Sequence, residues 1–220
     1  MSLILCIETA TTNCSVALGK EGKLLALKED NGKNYSHAER LHLYIEEILK
    51  ENGLKASQLE AVAVSKGPGS YTGLRIGVSA AKGLCFSLNI PLISVPTLTS
   101  LAGQVEEEES DYIIPLLDAR RMEVYTAGFT AAKNAIFDTR AEILEENSFS
   151  EYLEKGIVSF IGNGAEKFSK ICDHKNARFI TEALPSAKEM IGLAEEKSQK
   201  GLFEDVAYFE PYYLKDFQAG

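Results

Sequence analysis

Apolar residues fall into short blocks along the first half of the chain, and their spacing predicts strands and helices in turn. Short apolar or alternating blocks predict strands at 3–7, 15–18, 23–28, 59–64 and 91–95. Apolar residues at three- and four-residue spacing predict helices at 36–52, 72–88 and 97–104. Ser36 and Glu39 form a capping-box pattern at the start of the first helix. The first half is therefore predicted to run βββαβαβα, beginning with an antiparallel meander.

The acidic stretch 106–111 interrupts this pattern, and beyond it the same plan begins again with shorter elements. Strands are predicted at 112–117, 122–129, 141–144 and 157–161, and helices at 148–155, 164–171 and 186–200. Strands with helices on their faces indicate an α/β class with mixed sheets. We expect a first lobe at 1–105 and a smaller second lobe at 106–220, which ends in an extended aromatic tail from Phe203 onward.

Composition narrows the classes of protein that fit. The formal net charge of −9 argues against a chain that grips a nucleic-acid backbone by itself. The four cysteines are scattered without a CxxC pair, which is typical of reduced core residues in a cytosolic protein. No apolar run approaches the ~18 residues that a membrane span needs, and the amino terminus leads directly into a strand. We therefore expect a cytoplasmic protein that is neither secreted nor membrane-embedded.

The glycine-rich stretch 65–77 lies between a predicted strand and a predicted helix, where backbone amides can bind phosphate. A P-loop would need glycine and lysine where Thr72 and Gly73 stand. The glycine spacing also fails the dinucleotide fingerprint, which needs its third glycine one residue earlier. The stretch is therefore predicted to be a tight turn without a nucleotide motif.

The helix that follows carries a line of small residues. Gly73, Gly77, Ala80 and Leu84 recur at four- and three-residue spacing, so they share one side of the helix. This side could admit another helix at close range, or the glycines could let the helix pack tightly on its own domain. Both interpretations stay open from the spacing alone.

Candidate catalytic residues are few. His37 and His42 are five residues apart, which places them about 140° apart on a helix, whereas a zinc pair prefers four-residue spacing. No metal site is predicted. His37 is expected to pack near the helix cap, with a contact to a partner as the alternative.

Polar residues follow the first strand of each half. Glu8, Thr9 and Thr11 end the first strand, where members of the actin and hexokinase superfamily place a carboxylate near magnesium and phosphate. Asp118 occupies the corresponding place in the second half. These residues could form a vestigial nucleotide cleft, or they could satisfy a hairpin turn and a charged turn, and for Asp118 the charged turn is favoured.

Several stretches of the sequence resemble the TsaB family, also called YeaZ. They are Ile4–Thr11, Cys14–Leu18, Ser36–Glu39, Gly67–Gly77, Ala81–Leu84 and Leu117–Arg121. The resemblance is strong up to the last of these stretches and weak beyond it. It implies an actin-like fold of two ribonuclease-H-like lobes, each a mixed sheet flanked by helices, as in the superfamily of actin-like ATPases.

The same resemblance implies a pseudoenzyme that supports threonylcarbamoyl transfer to the adenosine beside the tRNA anticodon. The catalytic paralogue, TsaD, carries a pair of metal-binding histidines that this chain lacks. Members of the family dock on TsaD through their first two helices, which assigns the partner interface to Gly73, Arg75, Ile76, Gly77, Ala80, Leu84, His37 and Leu41. The substitution Gly77→Arg is accordingly predicted to abolish pairing and leave the monomer folded.

Further partners and cofactors follow from the resemblance alone. It implies the ATPase TsaE as a third subunit, a homodimer through the same surface when the paralogue is missing, and contact with tRNA only through the partner. It implies no cofactor for the isolated chain, and ATP or ADP in the complex. Many members have Asp-Thr-Ser where this chain has Glu8-Thr9-Ala10, which leaves weak nucleotide binding open. The alternative function is an actin-like nucleotide hydrolase or kinase that uses Glu8, Asp118 and the turn at Gly67, and a peptidase is the weakest interpretation.

Overall fold

The computed structural model describes residues 2–30 and 37–215, and these residues form two units. The first unit runs from the amino terminus to Thr97 and takes up the chain again from Pro185 onward. The second unit is Leu98–Leu184. In the described part of the chain each unit is built around one five-stranded sheet.

The first sheet has the strand order β3-β2-β1-β4-β5. Its strands are β1 (Leu3–Glu8), β2 (Cys14–Lys20), β3 (Lys23–Asp30), β4 (Ala61–Ser65) and β5 (Leu92–Val95). The meander β1–β3 is antiparallel, while β4 pairs parallel to both β1 and β5. Its helices are α1 (His37–Glu51), α2 (Tyr71–Leu88) and α6 (Met190–Gln199), and a 3₁₀ helix lies at Ala56–Gln58.

The alternation of side chains along β1 explains why helices cover both faces of this sheet. Leu3, Leu5 and Ile7 point to the face covered by α1 and α2, whereas Ile4 and Cys6 point to the face covered by α6. All five side chains are buried. A strand that is apolar at every position therefore predicts helical layers on both sides, as observed.

The second sheet repeats the plan with the order β10-β9-β6-β7-β8. Its strands are β6 (Tyr112–Asp118), β7 (Glu123–Thr130), β8 (Ala135–Ile143), β9 (Val158–Ile161) and β10 (Ala177–Ile180). The other helices are α3 (Thr97–Ala102), α4 (Ser150–Leu153) and α5 (Ala165–Ser169), with a 3₁₀ helix at Glu107–Glu109. A cluster of phenylalanines (Phe149, Phe160, Phe168) joins α5 to the sheet. The architectural repeat predicted from the sequence is present.

The boundaries of the units differ from the expected lobes at 1–105 and 106–220. Helix α6 lies in the first unit, because its buried residues Met190, Ile191 and Ala194 pack on the α6 face of the first sheet. The other division point lies at Thr97, where α3 begins. The segment after Leu184 therefore returns to complete the first unit.

Two strand predictions also need correction. Strand β8 begins at Ala135 rather than at 141, and β10 has no counterpart among the predicted strands. The capping box of Ser36 and Glu39 lies partly outside the described residues, because Ser36 is not among them. No described helix combines the length and the apolar character that crossing a bilayer requires.

The carboxyl-terminal segment 202–215, here called the strap, runs extended over the first unit as predicted. The Glu204 amide donates to the Leu92 carbonyl at 2.8 Å on the open edge of β5. Val206 and Phe209 pack against the core beneath α1 and α2. Farther along, the Tyr212 amide donates to the Lys66 carbonyl at 2.7 Å. The strap is thus fixed at both ends.

Candidate docking surface and the glycine turn

The glycine turn, Lys66–Ser70, joins the end of β4 to the start of α2. Gly67 has a φ of +107°, a left-handed conformation that favours glycine. The Gly67 amide donates to Thr97 Oγ1 and its carbonyl accepts the Thr97 amide, each at 3.1 Å. Ser70 caps α2, since its Oγ accepts the Gly73 amide at 3.3 Å. These backbone donors are engaged within the first unit.

The turn after β1 holds three residues of the predicted nucleotide cleft, Glu8, Thr9 and Thr11, and all three are buried. Glu8 Oε1 accepts the Ala10 amide at 2.6 Å. Burial raises the pKa of Glu8 to about 7, although this hydrogen bond favours the ionised form. The Thr11 carbonyl accepts a hydrogen bond from His37 Nε2 at 2.7 Å, which fixes the proton on that nitrogen. These groups hydrogen-bond within a buried hairpin turn, whereas Glu8 Oε2 has no hydrogen-bond partner among the described residues.

The glycines at the start of α2 face this turn and do not face solvent. A Cβ at Gly73 would lie 2.1 Å from the Thr9 carbonyl oxygen, and one at Gly77 would lie 2.3 Å from Thr9 Oγ1. At Gly69 a Cβ would lie 2.5 Å from the Ala10 carbonyl oxygen, which accepts the amide hydrogen of Ser70. Of the two interpretations that the spacing left open, tight packing on the chain's own domain is correct for Gly73 and Gly77.

An exposed groove of about 560 Å³ lies between α1 and α2. On α2, the residues that line it lie beside the stripe that contains Gly73 and Gly77. It is lined by Ala38 and His42 of α1 and by Arg75, Ile76, Ser79, Ala80, Gly83 and Leu84 of α2. A Cβ built at Gly83 meets no atom within 4 Å. Small and apolar side chains at a solvent-facing groove between two helices suit the close approach of a partner helix.

The groove contains half of the residues that were assigned to the partner interface. Arg75, Ile76, Ala80 and Leu84 line it. The other four residues, Gly73, Gly77, His37 and Leu41, are buried inside the first unit. The sequence prediction missed Ala38, His42, Ser79 and Gly83. The four-residue spacing of 38–42 and of 75–79–83 places each set on one side of its helix and could have indicated them.

Arg75 lies at the groove and also contacts the strap. Its Nε donates to the Tyr213 hydroxyl at 3.2 Å, and its guanidinium carbon lies 4.1 Å from the centroid of the Tyr71 ring. The two tyrosine rings are 4.9 Å apart. The hydrogen bond with Tyr213 raises the pKa of Arg75, so the guanidinium keeps its charge.

Asp118 is the last residue of β6 in the second unit, and its side chain reaches the turn that leads to β7. Its Oδ1 accepts the Arg120 amide at 3.1 Å and pairs with the Lys167 ammonium. Its own amide donates to Asn163 Oδ1 at 2.9 Å. Arg120 and Arg121 both have positive φ in the four-residue turn between β6 and β7. The structure thus shows Asp118 in a charged turn, which is the interpretation that the sequence favoured.

Metal-binding groups do not gather in the described part of the chain. Within residues 2–30 and 37–215, no three His, Cys, Asp or Glu side chains are placed to hold a metal ion. His37 is buried and His42 is exposed at the groove, so the two histidines of α1 lie on different sides of the helix.

Comparison with known proteins supplies the family. The model described as "TsaD: tRNA N6-adenosine threonylcarbamoyltransferase" matches residues 33–220. The tRNA threonylcarbamoyladenosine biosynthesis protein TsaB of Escherichia coli is 31% identical over 221 residues, which cover 97% of this chain and 94% of the relative. The chain belongs to the TsaB family. TsaB of Haemophilus influenzae is 30% identical over 223 residues, with 97% and 93% covered.

A solved structure agrees with this membership of the TsaB family. YeaZ from Pseudomonas aeruginosa matches with a TM-score of 0.86 and 27% identity, over 97% of this chain and 100% of that one. The match extends through the second half, where the sequence resemblance is weak. The predicted α/β fold of two actin-like lobes is confirmed.

Proposed function

We propose that this chain is a non-catalytic accessory subunit for threonylcarbamoyl transfer to the adenosine beside the tRNA anticodon. It acts by pairing with the catalytic paralogue TsaD. Relatives of nearly the same length are named for the biosynthesis of threonylcarbamoyladenosine, and the matching family model is that of the transferase. The observation that carries the proposal is the groove between α1 and α2, because it offers small and apolar side chains to a second protein.

The non-catalytic part of the proposal is supported by the turn after β1. A phosphate-binding turn needs free amides and room for an anion, but Gly69 and Gly73 lie against Ala10 and Thr9 with no space for a Cβ. Glu8 is fully buried, and its Oε1 already accepts the Ala10 amide. Asp118 is already neutralised by Lys167.

The remaining partners are proposed from the same surface, from charge and from what the resemblance to the TsaB family implies. The groove would also serve a homodimer when the paralogue is missing, so homodimer and heterodimer would compete for it. With a net charge of −9, the chain would reach tRNA through the paralogue. We place the ATPase TsaE and bound ATP or ADP in the assembled complex, and the complex in the cytoplasm.

Reconstitution tests this function directly. Threonylcarbamoyl transfer onto tRNA is measured with TsaD, TsaE and an adenylate-generating enzyme, with and without this chain. Transfer should depend on the chain, and the chain alone should be inactive. Transfer that proceeds equally well without it would refute the accessory role. Tight magnesium-dependent nucleotide binding by the isolated chain, measured by calorimetry, would favour the hydrolase or kinase instead.

A further inference from the structure

The strap runs along α2 from Lys82 toward the amino-terminal end of the helix, and it is anchored there independently of its tyrosine side chains. The Lys82 ammonium donates to the Phe209 carbonyl at 2.9 Å and to the Ala207 carbonyl at 3.1 Å. The Tyr212 amide donates to the Lys66 carbonyl at 2.7 Å. These backbone anchors place the next residue, Tyr213, beside Arg75 at the groove.

Arg75 uses only part of its hydrogen-bonding capacity inside the chain. Its Nε donates to the Tyr213 hydroxyl, and the Tyr71 ring supports the face of the guanidinium. Its two terminal nitrogens make no hydrogen bond and no ion pair with any residue that the structure describes. A guanidinium that is fixed through Nε and stacked on a ring presents the other two nitrogens in a set geometry.

A carboxylate is the group best suited to bind the two terminal nitrogens of such a guanidinium. Two terminal nitrogens in a rigid fork match the two oxygens of one carboxylate and form charge-assisted hydrogen bonds. Among residues 2–30 and 37–215, no acidic side chain lines the groove, although the chain as a whole is strongly acidic. Glu210 of the strap contributes to the electrostatic field at Arg75 but forms no ion pair with it among the described contacts. The groove therefore favours a partner helix that carries an aspartate or glutamate.

We propose that the strap belongs to the docking surface, and that Tyr213 is a positioning residue. It holds Arg75 so that the terminal nitrogens of the guanidinium bind a carboxylate of the paralogue docked in the groove. This inference rests on the proposed function, because it names how the same surface recognises its partner.

A double-mutant cycle on the affinity for TsaD tests the inference. The dissociation constant is measured by calorimetry at low and high salt for the wild type, Tyr213→Phe, Arg75→Gln and the double variant. Loss of the hydroxyl should weaken binding about threefold to tenfold, the size of a typical net hydrogen bond. The double variant should bind no more weakly than Arg75→Gln, because Tyr213 acts through Arg75. Arg75→Gln should also reduce the salt dependence of the dissociation constant.

Two further variants separate this role from a general stabilisation of the strap. Tyr208→Phe is the matched control, since Tyr208 is an 84% exposed tyrosine of the same strap and its hydroxyl makes no hydrogen bond among the described residues. It should bind as the wild type does. Arg75→Lys keeps the charge but loses the fork, and should lose about as much affinity as Tyr213→Phe. Thermal midpoints should be unchanged throughout, because the backbone anchors of the strap remain.

The outcomes distinguish the two proposals. A wild-type chain that does not bind TsaD overturns the proposed function together with this inference. A wild-type chain that binds, with Tyr213→Phe equal to it, overturns the inference alone. Additive losses in the double variant, or an equal loss in Tyr208→Phe, would likewise show that Tyr213 does not act through Arg75.

Discussion

The substitution Gly83→Arg should separate docking from folding. Gly83 is exposed in the middle of α2, and a Cβ there meets no atom within 4 Å, so the longer side chain fits without strain in the monomer. Glycine in a helix interior costs roughly 0.8–1 kcal/mol relative to alanine, and arginine is close to alanine on this scale. The free energy of unfolding of the isolated chain should therefore rise by up to about 1 kcal/mol.

Pairing should respond in the opposite direction. The new side chain would occupy a groove of about 560 Å³ whose α2 lining includes Ile76, Ala80 and Leu84. Docking would then require a partner to displace the arginine or to bury its charge unpaired, and an uncompensated buried charge costs about 3–5 kcal/mol. The dissociation constant for TsaD should rise at least about 100-fold, which corresponds to roughly 2.7 kcal/mol. Calorimetry measures the pairing, and urea denaturation measures the stability of the monomer.

The matched control is Gly83→Ala, which brings the same gain in helix propensity without the long charged side chain. It should pair like the wild type. The earlier expectation that Gly77→Arg leaves the monomer folded is wrong, because a Cβ there would lie 2.3 Å from Thr9 Oγ1. That variant should unfold or lose several kcal/mol of stability. Normal pairing by Gly83→Arg would refute the groove as the docking surface, and an unfolded Gly83→Arg would refute the open geometry at this position.

Two further predictions concern the buried carboxyl and the charged turn. In Glu8→Gln, the stability relative to the wild type should increase between about pH 4.5 and pH 7. In this pH range Glu8 of the folded wild type holds a proton that the unfolded chain releases. The free energy of unfolding of the wild type therefore falls by on the order of 3 kcal/mol as the pH rises toward the Glu8 pKa of about 7. Urea denaturation at about pH 5 and pH 8 measures this difference, and parallel pH profiles would contradict it. In Lys167→Ala, the free energy of unfolding should fall by about 1–2 kcal/mol, because the ammonium donates to the Arg121 and Glu123 carbonyls and pairs with Asp118. Reconstituted transfer should stay at the wild-type level, and a loss of transfer at unchanged stability would point to a catalytic Asp118.

Much of the first sheet could be predicted because its sequence pattern is strong. Strand β1 is apolar at every position up to Glu8, and this pattern indicates helices on both faces of the sheet. The second sheet was harder, since β8 carries Asp138, Arg140 and Glu142 on an edge strand that is largely accessible to solvent. Strand β10 has four residues that are only partly buried, whereas the equally short strands β5 and β9, which were predicted, are buried at every position. Local pattern finds a strand only where one of its faces is clearly buried.

The position of α6 could not be predicted for a different reason. Its sequence correctly indicates a helix with buried residues such as Met190, Ile191 and Ala194. Nothing in that pattern says which of the two sheets it covers, because burial against a sheet far back in the chain leaves no local signal. The expected boundary at 105/106 assumed that each lobe is one continuous segment of the chain. In the structure, the segment from Pro185 onward belongs to the same unit as the first 97 residues.

The candidate site shows the same limit at the level of one helix. Two stripes of α2 are rich in small residues, one through Gly73 and Gly77 and the other through Ser79 and Gly83. Spacing identified the first stripe and suggested an interface. The side that faces inward is decided by Thr9, whose carbonyl and hydroxyl lie against Gly73 and Gly77, and Thr9 is 64 residues away from Gly73. A contact at that sequence separation is invisible to helical periodicity.

The glycine turn and the groove are connected through α2, because the turn leads into this helix and the helix lines the groove. Gly73 and Gly77 let α2 lie directly on the end of β1, and the hydrogen bond from Thr9 Oγ1 to the Gly73 carbonyl fixes it there at 2.8 Å. Because Ile76 and Ala80 lie on the same rigid helix, the geometry of the groove depends on how closely that helix approaches the strand. In nucleotide-binding turns, the glycine backbone approaches a phosphate. In this chain, Gly69 and Gly73 instead lie against the carbonyls of Ala10 and Thr9. A turn that resembles a nucleotide site thus has a structural role in this chain: it holds α2, and with it the groove, in place.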